Sequence, residues 1–132
     1  MDRKRFKKQV AFILEADKEK NILRQTHLSG HGRRENDAEH AWHMAMMIYL
    51  LKEYANAEFD LAKTMMMALI HDIVEIDAGD TYAYDTAGLA TQAEREEKAA
   101  ERIYCPMTRE MSCADYLKNL KRMKHLKQDL RM

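Results

Sequence analysis

The residues best suited to chemistry are His71 and Asp72, placed where the apolar run TMMMALI ends and followed by Glu75, Asp77 and Asp80 in HDIVEIDAGD. An imidazole and a carboxylate side by side at the end of a buried Met/Leu stretch are costly to take out of water unless something pairs with them. A metal ion would pair with both. The two project in neighbouring directions from a helix, so a shared cation needs a further ligand from another element, and His40 in AEHAWH can supply it. Two neutral imidazoles and a carboxylate, with remaining positions open to water, generate a hydroxide nucleophile near neutral pH. Mixed nitrogen and oxygen ligands suit a divalent transition metal (Mn, Co, Fe, Ni or Zn) better than Mg or Ca. A single helical His is more often a hydrogen-bonded core or surface residue. The combination of His40 with the His71 and Asp72 doublet on successive helices is what favours the metal.

These groups need helices to position them. Gly and Pro are scarce, β-branched runs are absent, and Ala, Leu, Met, Lys and Glu dominate, which predicts an all-α fold. A first helix is expected over about 3–16, with Phe6, Val10, Ile13 and Leu14 at helical spacing, continued or kinked to Leu23. THLSGHGRREND then reads as a loop. Asn36 or Asp37 can cap a second helix running to about Tyr54, with Glu39 favouring its positive end. A third helix is expected over about 60–75 and a fourth over about 90–104, with a loop at 78–87 holding Thr81, Tyr82 and Tyr84 near the site. The methionines of the middle helices (Met44, Met46, Met47 and Met65 to Met67) read as core. His43 reads as a partly exposed helix residue, Asp77 as structural, and His27, His31 and His125 as surface.

With 132 residues, the chain is one domain. Its 22 basic and 22 acidic residues balance, so the whole chain gives no case for a nucleic-acid polymer or an anionic membrane as partner. No apolar run is long enough to span a bilayer, and the basic start DRKRFKK lacks the apolar core of a signal peptide. A cytoplasmic location is expected. Cys105 and Cys113 are too few for a disulfide framework and are not spaced as a zinc knuckle.

RRENDAEHAWHMAMM followed by ALIHDIVEIDAGDTYAYD resembles the HD-domain metal-dependent phosphohydrolases, and among them the group that includes the bacterial 5'-deoxynucleotidases. The isolated His, the doublet, the Glu three residues on and the Gly and Asp after it fall in the family's order, over roughly residues 8–104. The resemblance implies an HD-domain helical bundle in which His40, His71 and Asp72 hold the metal. It makes Glu75 the acid that positions or deprotonates the attacking water and Asp80 a second acid near the substrate. It sets Arg24 where the family has a phosphate-contacting arginine; Arg33 or Arg34 could do the same work. The implied substrate is a small phosphate ester, a (deoxy)nucleoside 5'-monophosphate, and the implied assembly a homo-oligomer.

Residues 105–132 depart from this pattern. Family members complete the site with an Asp on a later helix, and nothing after Tyr104 resembles them, so the expected bundle is incomplete at its C-terminal end: a body at 1–104 and a divergent, basic tail at 105–132. The tail can be read in a shifted frame, each hidden codon taking the last base of one visible codon and the first two of the next. With synonymous codons chosen freely, the region from Tyr104 on can then encode LSDDKGNELRGLFEEFEENETPEARFA, an acidic amphipathic string much like the family's segment before its final Asp. The visible tail still carries a helical stripe of Tyr116, Leu120, Met123, Leu126 and Leu130. Two classes of function follow: a metal-dependent phosphohydrolase, or a truncated, catalytically impaired helical module with a structural or self-associating role.

Overall fold

A computed structural model of the chain describes residues 1–30, 32–79, 86–104 and 118. Helix α1 (Arg3–Ala16) starts on the Asp2 side chain, which accepts from the amides of Lys4 and Arg5 and so satisfies two first-turn donors. It runs into a 3₁₀ turn at Asp17–Asn21. Strands β1 (Leu23–His27) and β2 (Arg34–Asn36) then pair antiparallel, Leu23 opposite Asn36 and His27 opposite Arg34, with an irregularity between. The stretch expected as a loop is therefore a small ribbon, added to a body that is otherwise helical as expected. Neither strand buries an apolar face, so the apolar alternation by which strands are recognised is missing.

Helix α2 (Asp37–Leu51) is capped by Asn36: its side chain accepts from the Glu39 amide at 2.9 Å, while the Glu39 carboxylate accepts from the Asn36 amide at 3.1 Å. With Asn36 as cap, Asp37 falls inside the helix and turns to the interior. A 3₁₀ turn at Lys52–Tyr54 ends this segment. Helix α3 (Leu61–Ile70), capped by Asp60, packs along α2. It stops before the doublet, shorter than the sequence suggests, so that His71 to Val74 form a turn leading into the one-turn helix α4 (Glu75–Ala78). Gly79 closes α4 with φ of 74°, a backbone conformation in which a Cβ is strained. Helix α5 (Thr86–Tyr104) packs on α4.

The core lies where α3, α4 and α5 meet. It consists of Met67, Ile73, Val74, Ala78, Ala99, Ala100, Ile103 and Tyr104, with Phe12 and Ala16 of α1 against it. The Tyr104 hydroxyl donates to the Ile70 carbonyl at the end of α3, and its ring tilts against Phe12 with centroids 6.2 Å apart. Arg102 forks onto Asp77 and also reaches Glu15, tying α5 to α4 and α1. Asp77 is thus structural, as read from the sequence.

Two readings of packing need correction. Met44 and Met67 are buried, but Met46 and Met66 are exposed, since α2 and α3 turn Ala41, Ala45 and Ala68 inward and a close helix pair has no room for every methionine. On α1 the inward residues are Phe12 and Ala16; Phe6, Val10, Ile13 and Leu14 lie in solvent.

Candidate metal centre

His40 lies one turn into α2, and the α3–α4 turn carries the doublet to meet it. His40, His71 and Asp72 each offer an atom within 4.8 Å of the others, the His71 and Asp72 side chains being buried and His40 half-buried. His71 Nδ1 lies 2.7 Å from the Ala68 carbonyl oxygen, which accepts and so fixes the proton on Nδ1. Nε2 is then left with a lone pair, and it faces Asp72 Oδ2 at 2.8 Å. Two acceptors at that distance repel unless a cation or proton lies with them. His40 Nε2 is 4.0 Å from the same Oδ2, and the imidazole rings are 5.7 Å apart between centroids. Two imidazole nitrogens and a carboxylate oxygen this close together could hold a divalent transition metal.

The ring of charge around this cluster is more extensive than the sequence suggests. Arg24, on β1, donates from Nη1 to Asp72 Oδ2 at 2.9 Å and to Asp37 Oδ1 at 3.2 Å, and its Nε lies 3.7 Å from Glu35 Oε2. Glu35 in turn is 3.6 Å from His40 Nδ1. The ribbon thus has a function in the site: β1 delivers the guanidinium, and β2 delivers the carboxylate beside the second imidazole. Beneath them, Asp37 is fully buried and faces Glu75 closely enough for a hydrogen bond between the carboxyls, which requires one of the pair to carry a proton. Burial pushes Asp37 up to about 6, and Asp72 adds to this, against the Glu75 and Arg24 hydrogen bonds and the Arg24 charge.

Glu19, on the 3₁₀ turn after α1, is the other buried acid, and its Oε1 meets no hydrogen-bond partner. Burial first, then the charges of Asp72 and Asp37, raise its carboxyl to about 8 from 4.5, with Arg24 opposing. Between those values the folded chain holds a proton that the unfolded chain has released. Stability from this group is therefore fully present below 4.5 and declines as pH rises toward 8. In chelator-treated protein, Glu19→Gln should remove that decline: denaturant midpoints of wild type and variant should separate steadily through this window, with the variant the more stable at the alkaline end. Parallel curves would assign the decline to another group.

Of the residues singled out in the sequence, His40, His71, Asp72, Arg24 and Glu75 come together. Arg33 does not join them. It is exposed and forks onto Glu39 at the start of α2, an ion pair that, with the Asn36 amide, holds the Glu39 carboxyl down to about 2. Asp80, His31, Thr81, Tyr82 and Tyr84 lie outside the described residues. His43 is exposed and stacks on Trp42, with centroids 6.1 Å apart. Glu19, Glu35 and Asp37 were not legible as site residues. Asp37 had one signal, being the neighbour of a better cap and so free to turn inward; Glu19 sits in DKEKN, which looks like any solvated turn.

A family model described as "HD domain" matches residues 16–128. The chain belongs to the HD-domain family. The matched stretch includes every residue of the HD-domain cluster described above and runs past Tyr104 into the basic segment. A solved structure, that of a predicted metal-dependent phosphohydrolase from Magnetospirillum magnetotacticum MS-1, is 46% identical with a TM-score of 0.78, over 93% of this chain. The chain spans 60% of the length of that relative. No curated protein matches this HD domain. Among the described residues, no helix is long and apolar enough to cross a membrane.

Proposed function

We propose that this HD domain is a metal-dependent phosphohydrolase acting on a phosphate monoester, a (deoxy)nucleoside 5'-monophosphate being the substrate that the sequence resemblance favours. One observation carries the reading: the lone pair of His71 and a carboxylate oxygen of Asp72 converge with His40 on a single point, and Arg24 lies against the same oxygen. A divalent transition metal held there supplies Lewis acidity and a lowered pKa for coordinated water. The protein's own groups do the rest. Ala68 fixes the His71 tautomer and Glu35 lies beside the far nitrogen of His40, so both imidazoles keep their orientation. Arg24 offers a permanently positive, planar donor at the edge of the cluster, suited to the oxygens of a phosphate dianion. Glu75, buried beside Asp37, is the group we assign to orient and deprotonate the attacking water, its proton shared with Asp37. Asp80 is the second acid of this proposal, contacting the substrate from the segment after Gly79.

The relative's name, a metal-dependent phosphohydrolase, supports the reaction class. The test is release of inorganic phosphate from deoxynucleoside 5'-monophosphates after loading with Mn or Co, set beside a simple aryl phosphate. Turnover of the nucleotides well above the aryl ester supports the substrate class. Equal slow turnover of all esters would leave the reaction standing and remove the nucleotide. The proposal places the protein in the cytoplasm and includes self-association through the exposed α2 stripe of Trp42, Met46, Tyr49 and Leu50. A one-chain mass by light scattering would exclude that assembly.

A further inference from the structure

Arg24 and His40 are bracketed by two carboxylates. On the metal side, Asp72 Oδ2 accepts from Arg24 Nη1 at 2.9 Å and lies 4.0 Å from His40 Nε2. On the far side, Glu35 Oε2 lies 3.7 Å from Arg24 Nε and 3.6 Å from His40 Nδ1. The Thr26 hydroxyl donates to this same oxygen at 3.5 Å. Glu35 is the middle residue of β2, between Arg34, which pairs with His27, and Asn36, which pairs with Leu23 and caps α2. Its backbone is therefore fixed on both sides. Its side chain is only 17% exposed, so water screens these contacts weakly.

The far carboxylate acts differently on each partner. A neutral imidazole carries its hydrogen on one nitrogen only, and a carboxylate beside Nδ1 favours that nitrogen. Nε2 then keeps the lone pair that a metal needs and turns it toward Asp72. With the hydrogen on Nε2 instead, His40 would be no ligand there. For Arg24, an anion at Nε steadies the guanidinium while Asp72 and Asp37 hold it at Nη1. A planar fork held at two of its nitrogens keeps one orientation toward an incoming anion.

We propose that Glu35 is a positioning residue that selects Nε2 as the metal-binding nitrogen of His40 and aligns Arg24 through the same oxygen, so that metal binding and phosphate binding are coupled. The phosphate half rests on the reading of Arg24 as a phosphate contact given above. The His40 half does not.

The test compares the full chain with Glu35→Gln, which keeps the shape and loses the charge, and Glu35→Asp, which keeps the charge on a shorter stem. In chelator-treated protein above the imidazole titration range, nitrogen NMR should show wild-type His40 with its hydrogen on Nδ1 and Glu35→Gln as a mixture of the two tautomers. Cobalt affinity should fall by about tenfold or more in Glu35→Gln, with part of it restored in Glu35→Asp. Inorganic phosphate, titrated into protein saturated with Mn, should bind Glu35→Gln about fivefold more weakly. Charge alone predicts the opposite sign, because deleting an anion beside the site attracts phosphate more strongly. Tighter phosphate binding in Glu35→Gln would therefore overturn the coupling, and a wild-type His40 with its hydrogen on Nε2 would overturn the choice of ligand nitrogen. Turnover of esters by wild type, with Glu35→Gln equal to it in all three measurements, would refute the role of Glu35 and leave the hydrolase standing. Wild type that holds cobalt but neither binds phosphate nor hydrolyses esters would refute the hydrolase and the coupling together, while the tautomer and cobalt measurements would still decide the His40 half.

Discussion

Asp72→Ala is expected to abolish stoichiometric metal binding and to lower phosphate release by about a thousandfold or more, because losses from one misplaced ligand shell or one missing electrostatic partner each reach about a hundredfold. Asp72 serves three neighbours through one oxygen. It faces the His71 lone pair at 2.8 Å, accepts from Arg24 at 2.9 Å and lies 4.0 Å from His40. Removing it leaves two imidazoles without an anion, so the cation loses a ligand and its charge balance together. The fold should respond less than the chemistry. Without Asp72, Arg24 keeps Asp37, and one source of the upward pressure on the Glu19 and Asp37 carboxyls disappears. Inductively coupled plasma analysis and phosphate release on the same sample check both parts. A variant that retains metal and turnover would remove Asp72 from the ligand set.

The second large effect belongs to Arg24, and it falls on stability as well as turnover. Asp37 is fully buried, beside the Glu75 carboxyl and within reach of the Asp72 charge. Arg24 touches Asp37 and Asp72 at once. Arg24→Met would leave Asp37 buried without its cation, a change that costs about 3–5 kcal/mol when a buried pair is broken on one side. For a domain of this size such a loss lowers the melting temperature by roughly 10 °C or more. Arg24→Lys should be intermediate in stability, since a point charge can neutralise one carboxylate without spanning both. It should remain poor in turnover, because the planar fork suited to a phosphate is gone. Thermal melts and steady-state rates of the two variants separate these contributions. Equal stability of wild type and Arg24→Met would mean that Asp37 is held neutral in the fold without help from the guanidinium.

How much of this was legible in the sequence follows from which residues interact locally. The helices come from composition and periodicity, and Asn36 with Glu39 fixes the start of α2 within a few residues of chain. The pairing of His40 with His71 and Asp72 was also readable, because each lies at a marked position on an apolar helix. The ribbon was not. Its strands bury no apolar alternation; they are held by backbone pairing and by the interaction of Arg24 and Glu35 with residues on other elements. Helix α3 was expected to run through Glu75, and the departure at His71 has a tertiary cause: the turn lets His71 reach back to the Ala68 carbonyl while Asp72 swings to Arg24. Glu19 carries no local mark at all, and Asp37 only its place beside a better cap. An acid in a polar sequence looks solvated until an arginine from elsewhere and a neighbouring carboxyl are seen around it.

The boundary at 104 remains our proposal, set beside a family match that runs to residue 128. The cluster at His40, His71 and Asp72 stands on described residues alone.

The most direct test of the metal centre is the metal content of the purified wild-type chain after dialysis against trace Mn or Co, measured together with that of His71→Ala. Three converging ligands should retain close to one transition-metal ion per chain in wild type and nearly none in the variant. A wild-type chain that emerges metal-free, or a variant that retains as much metal as wild type, would contradict the central claim that these side chains converge to hold a cation.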